Sequence, residues 1–101
     1  MRKYGVTFRL KDNASYQVRY QQFIQSISDV VGSGSFWEEP TSFIAFESEY
    51  STDQIASHIK KAIEPSTDVA LLCQIGFDDY RLIGTAEDNT VYDLFRTLKK
   101  V

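Results

Sequence analysis

TSFIAFESEYSTDQIASHIKKAIEPSTDVALLCQI, residues 41–75, carries three hydrophobic periods in succession, and their order decides the fold. From Thr41 to Glu47 the bulky Phe43, Ile44 and Phe46 make a strand-like run. Ser51 and Gln54 then show the S-x-x-Q spacing of a capping box, in which each side chain accepts from the other residue's backbone N–H. Ile55, Ile59, Ala62 and Ile63 follow at helical spacing. Glu64-Pro65 ends that helix, because a residue before proline is pushed out of the helical region. Val69 to Ile75 is apolar at every position until Gln74, the pattern of a strand covered on both faces.

The same alternation of periods continues outward. Upstream, Tyr4, Val6, Phe8 and Leu10 alternate with Lys3, Gly5, Thr7 and Arg9, so Lys3 to Leu10 reads as a half-buried strand. Lys11 to Ser15 offers capping side chains, and Tyr16, Tyr20, Phe23, Ile24, Ile27, Val30 and Val31 form one helical stripe. Gly32-Ser33-Gly34-Ser35 is expected to end that helix. Ser35 to Glu38 reads as a short strand joined across Glu39-Pro40 to the strand after it. Downstream, Gly76 to Gly84 reads as a turn or a short additional strand around Tyr80 to Ile83. A final helix is expected from Asn89 or Thr90, burying Val91, Leu94, Phe95 and Leu98 and placing Lys99 and Lys100 at its negative end.

This order predicts an α+β fold: a ferredoxin-like βαββαβ arrangement with a four-stranded antiparallel sheet, two helices on one face and an added C-terminal helix. At 101 residues, 43% hydrophobic and 25% charged, one domain spanning 1–101 is expected, without disulfides or a structural metal. Cys73 is the only cysteine, and no charged-then-apolar leader opens the chain, so a reducing, cytoplasmic setting is expected. No apolar run approaches the ~20 residues that cross a bilayer, and a net charge of -3 argues against a broad nucleic-acid-binding surface. A dimer would still be able to gather Lys3, Arg9, Arg19, Lys60 and Lys61 into one basic patch.

The second face of such a sheet needs a cover. With Ile44, Phe46, Leu71 and Cys73 assigned toward the helices, Phe43, Ala45, Ala70 and Leu72 are expected to point away. Either the C-terminal helix or a second copy packed sheet on sheet would cover them, which makes these four residues the expected homodimer interface.

The order of elements, the run Thr41-Ser42-Phe43-Ile44, and the Ser51-to-Ile63 helix followed by Asp68 and an apolar strand resemble the small Cas2-like proteins. That group takes in CRISPR-associated Cas2, VapD-type toxins and proteins labelled SinR family. The similarity spans residues 3 to 83 and rests on element order and short hydrophobic motifs. It implies a homodimer of ferredoxin-like subunits and, in some members, metal-dependent cleavage of RNA or DNA. That cleavage depends on an aspartate at the end of the first strand, after an aromatic residue. Here Phe8 is followed by Arg9.

For a nuclease, Asp12 after the first strand would have to join Asp78 and Asp79 after the fourth in holding Mg²⁺, since hard cations seek carboxylate oxygens. Aspartates in turns also serve local hydrogen bonds without any ligand. Arg9 repels a cation and suits a phosphate instead. His58, the only histidine, borders the apolar stripe of its helix and is read as capping the core edge, while Cys73 is read as a small packed hydrophobe. The segment from Gly32 to Ser35 lacks the spacing of a phosphate loop. Three functions follow: a Cas2-like homodimer that binds a protein partner or nucleic acid and needs no cofactor, an Mg²⁺-dependent endoribonuclease, and an RRM-like single-stranded RNA binder. The last requires a free sheet face, and Ala45 stands where a second stacking ring belongs.

Overall fold

The computed structural model describes residues 1–32 and 36–101. Its elements are β1 (Arg2–Arg9), α1 (Tyr16–Val30), β2 (Phe36–Trp37), β3 (Phe43–Ser48), α2 (Thr52–Lys60), β4 (Val69–Gln74), β5 (Tyr80–Gly84), α3 (Thr90–Leu94) and β6 (Lys99–Lys100). The strands form one sheet in the order β2-β3-β1-β4-β5-β6. Every pairing is antiparallel except the parallel β5 and β6. The fold is α+β, with a six-stranded mixed sheet where four antiparallel strands were expected. The difference arises because Tyr80–Gly84 folds back on β4 as a full strand and the C-terminus then adds a second edge.

Residues paired across an antiparallel ladder point to the same side of the sheet. Val6 pairs with both Ile44 and Leu72, Phe8 with Ala70, Tyr4 with Phe46, and Ala70 with Ile83. All of these side chains are buried, and with Phe23 and Ile27 of α1 and Ile55 and Ile59 of α2 they make the core. The capping box forms as expected at Ser51 and Gln54. The start of α1 is organised differently: the Ser15 side chain makes no cap bond, and the Asn13 side-chain amide oxygen accepts from the Ser15 N–H instead. The helix ends at Val30, with Val31 extended and the Gly32 N–H donating to the Glu47 carbonyl. Of the expected terminator, Ser33, Gly34 and Ser35 lie outside the described residues, as does the first residue of the expected second strand.

Two expectations are corrected. Ala70 and Leu72, assigned above to the outer face, lie on the helix face with exposures of 1% and 0%. Leu71 and Cys73 point outward in their place. Five consecutive apolar residues give a period-two pattern no phase, so the phase of β4 comes only from its register with β1. Phe43 and Ala45 do point outward, beside Thr7 and Gly5.

The C-terminal helix is also shorter than expected. α3 spans five residues, buries none of them, and gives way at Phe95. Lys99 and Lys100 then pair with Arg81 and Leu82, and the Val101 N–H donates to the Leu82 carbonyl. A helix this short has little stability of its own, and a strand pairing satisfies more backbone groups. Gly84, at φ +88, lets β5 leave the sheet where a Cβ would stand 2.0 Å from the Asp68 carbonyl oxygen.

Candidate functional site

Two ion networks, one buried around Asp68 and one in which buried Arg81 reaches more exposed carboxylates, tie the ends of the sheet to the helices. At the end where β1 finishes, Asp68 is fully buried and accepts from the backbone N–H groups of Lys11 and Glu64, each at 2.8 Å, and from the Arg19 guanidinium. Burial alone would push the Asp68 carboxyl up, but those two N–H groups and Arg19 hold it below the usual carboxylate value. Arg19 also donates to the Lys11 carbonyl and to Asn13 Oδ1. At the other end, Arg81 is 5% exposed and donates to Asp53 and Asp79, each at 2.6 Å, while the Thr52 hydroxyl donates to Asp79. The Thr52 hydroxyl and then Arg81 lower the Asp79 carboxyl, and Arg81 lowers that of Asp53. Neither network was anticipated from sequence. The Arg19–Asp68 and Arg81–Asp53 partners lie 49 and 28 residues apart, beyond any local pattern, although Asp79 is only two residues from Arg81.

The proposed carboxylate cluster does not assemble. β4 runs antiparallel to β1, with Arg9 beside Val69 and Tyr4 beside Gln74, so Asp12 and the Asp78-Asp79 pair leave opposite ends of the sheet. The five-residue step from Tyr4 to Arg9 alone spans roughly 17 Å of strand. Asp12 and Asp78 are exposed, and Asp79 is engaged by Arg81 and Thr52. Among the described residues no group of three or more His, Cys, Asp or Glu side chains is placed to hold a metal ion.

Arg9 stands on the outer face and reaches Glu87 at 3.6 Å, so its charge is already partly answered. Arg19, one of the cations expected in a basic patch, is instead buried against Asp68. His58 Nε2 lies 3.0 Å from Asp29 Oδ2, joining α1 and α2, and this contact with His58, followed by one with Gln25, lowers the Asp29 carboxyl. Cys73 is half-buried on the outer face with its thiol 3.5 Å from the Gly5 carbonyl, and burial pushes the thiol up. A raised thiol carries little thiolate at neutral pH, which suits packing better than nucleophilic chemistry.

The outer face divides in two. Over β4 and β5 the C-terminal segment forms a roof: Phe95 packs on Tyr80 with ring centroids 4.6 Å apart, and Glu87 meets Arg9. A 410 Å³ cavity lies beneath it, lined by Val69, Leu71, Leu82 and Val91, with Arg9, Glu87 and Asp88 at its mouth. Over β2, β3 and β1 no described residue forms such a cover. There Trp37, 51% exposed, meets the edge of Phe43, whose ring lies over Gly5. Ala45 lies between Trp37 and Gly5 in the same row of the sheet. A 390 Å³ depression at the start of β1 is lined by Lys3, Trp37, Ala45, Glu47 and Ile75. Ile75 and Phe77, at the β4 to β5 turn, are 49% and 63% exposed and extend the apolar surface.

No protein-family model, no curated protein and no solved structure matches the chain. Among the described residues no helix is long and apolar enough to cross a membrane.

Proposed function

We propose that the chain acts as a homodimeric binding module of the ferredoxin-like, Cas2-like kind, joined through the open half of its sheet. Its role on this reading is to present a surface to a protein or nucleic-acid partner without cutting it. The observation that carries the proposal is the uncovered apolar face of Trp37, Phe43, Ala45 and Cys73, continuous with Ile75. Contiguous exposed apolar surface of this sort marks an interaction site, and a second copy of the same face is the simplest cover. The run β2-β3-β1-β4 with α1 and α2 on its other face supports the ferredoxin-like reading, with β5 and β6 as an extension. The corrected interface is Phe43, Ala45 and Cys73 with Trp37, while Leu71 lies under the C-terminal roof.

The placement of charge separates this reading from the other two. A metal-dependent nuclease needs converging carboxylates, whereas Asp12 and Asp78 sit at opposite ends of the sheet and Arg9 takes the strand-end position. An RNA-stacking face needs free cations around its rings, whereas Arg9 is met by Glu87 and Arg19 is buried against Asp68. Light scattering of the purified chain, paired with incubation with labelled RNA and DNA in Mg²⁺ or Mn²⁺, tests the proposal. A mass of twice 11.6 kDa with intact nucleic acid supports it. A monomer that binds single-stranded RNA, or turnover abolished by Asp12→Ala, would replace it with one of the alternatives.

A further inference from the structure

This inference rests on the proposal that two copies join through the open face, and it concerns how they are placed. A two-fold that packs two sheet faces together must lie in the plane between them, because the operation turns one face onto its opposite. The direction of that axis is selected by charge and by bulk on this face.

Four rows cross the open face. Lys3 stands beside Glu47, Gly5 lies between Ala45 and Cys73, Thr7 between Phe43 and Leu71, and Arg9 beside Val69. An axis running across the strands brings the Lys3 end of one β1 onto the Arg9 end of the other, where Glu87 already meets Arg9 and the C-terminal roof rises over the sheet. An axis along the strands and directly over β1 sets Lys3 on Lys3. An axis along the strands, midway between β1 and β3, exchanges those two strands. Lys3 then faces Glu47 of the second copy, and Glu47 faces its Lys3.

The same axis settles the packing. Gly5 is covered by the Phe43 ring of its own chain, so that ring and Ala45 are what meet the second copy at the centre. Phe43 falls opposite Thr7, and Trp37 falls opposite Cys73. The C-terminal roof, which rises over β4 and β5 near Arg9, falls opposite the flank where β2 would continue. Among the described residues β2 is two residues long and pairs at Phe46 and Ala45, and none continues it along that flank. Lys3 and Glu47 are neighbours in one chain, yet neither is in an ion pair among the described residues, so both charges are available across the axis.

We infer that the chain forms a two-fold dimer whose axis runs along the strands between β1 and β3, held in register by two reciprocal Lys3 to Glu47 ion pairs. The partner is a second copy of this chain, and Lys3 and Glu47 determine its placement.

Mixing single variants tests this directly. Lys3→Glu leaves two acidic side chains at this end of the face, and Glu47→Lys leaves two basic ones. Each variant alone places like charges in contact twice and is expected to dimerise roughly 10-fold or more weakly than the wild type. Mixed together, they restore both opposite-charge contacts between chains, and a heterodimer is expected at close to wild-type affinity. Rescue cannot come from inside either chain, because within each the two side chains carry the same sign. The readout is sedimentation velocity of each variant and of the mixture, with one chain fluorescently labelled. Wild-type dimer with unaffected single variants, or a mixture no tighter than its components, overturns the placement while leaving the homodimer standing. A monomeric wild type overturns both.

Discussion

Replacing Asp68 by alanine removes the acceptor at the centre of the network where β1, α1 and the start of β4 meet. Two backbone N–H groups, of Lys11 and Glu64, lose their partner at once, and the Arg19 guanidinium loses its counter-charge. Each orphaned buried donor costs roughly 1–3 kcal/mol. Arg19 keeps the Lys11 carbonyl and Asn13 Oδ1, which limits its own share. The total expected for Asp68→Ala is about 3–5 kcal/mol, the range for breaking a buried pair from one side. That is a large part of the ~5–15 kcal/mol available to a domain of this kind. Asp68→Asn keeps the shape and one acceptor, and is expected to cost less. Urea unfolding followed by far-ultraviolet circular dichroism at pH 7 measures both.

The pH dependence has a definite sign. The folded Asp68 carboxyl lies below its unfolded value of 3.8, so on acidification the unfolded chain takes up the proton first. The contribution is complete above pH 3.8 and is lost as pH falls through the lower folded value. Asp79 and Asp53 are lowered as well and add to the loss in the same window. Wild-type stability is therefore expected to fall more steeply below pH 3.8 than that of Asp68→Ala. A loss below about 1 kcal/mol for Asp68→Ala, or parallel acid profiles, would refute the network's role.

Other consequences are equally open to measurement. Gly84→Ala places a Cβ against the Asp68 carbonyl at a positive φ and is expected to destabilise by more than about 1 kcal/mol, whereas Gly76→Asn, with open space around it, should cost less; urea midpoints at constant m decide. Ser51→Ala removes the cap of α2 and is expected to cost about 1 kcal/mol in the same assay. Asp12→Ala and Asp78→Ala, both at exposed positions, should leave stability within about 0.5 kcal/mol of wild type and produce no change in nucleic-acid cleavage assays. The Cys73 thiol, half-buried and raised, is expected to react slowly with an aromatic disulfide reagent at pH 7 and faster once the dimer is dissociated by dilution; equal rates at all concentrations would contradict a covered face.

What the sequence makes legible follows from how local each signal is. Ser51 and Gln54 bond within one turn of helix, and β1 alternates cleanly, so both could be read without the fold. The phase of β4 could not, because Val69 to Cys73 is apolar throughout and only pairing with β1 distinguishes Leu71 from Leu72. The spacing of Val91, Leu94, Phe95 and Leu98 fits a helix, yet the segment crosses a sheet face with few groups to bury, and the chain leaves the helix to pair with β5. Asp12 and the Asp78-Asp79 pair were separated by topology. Once β1 and β4 are antiparallel neighbours, residues that follow their C-terminal ends stand at opposite edges of the molecule. Arg19, set in the polar part of a helix start, gave no sign of burial because its partner comes 49 residues later.

Sedimentation equilibrium of Ala45→Glu beside the wild type tests most directly whether a second copy covers the outer face of β2, β3 and β1. Ala45 lies half-buried in the middle of that face, between Trp37 and Gly5 in one row of the sheet. A wild-type dimer of twice 11.6 kDa is predicted, with an Ala45→Glu variant that is monomeric and keeps a wild-type circular dichroism spectrum. A wild-type monomer across the micromolar range, or an Ala45→Glu variant that still sediments as a dimer, would contradict the shared face.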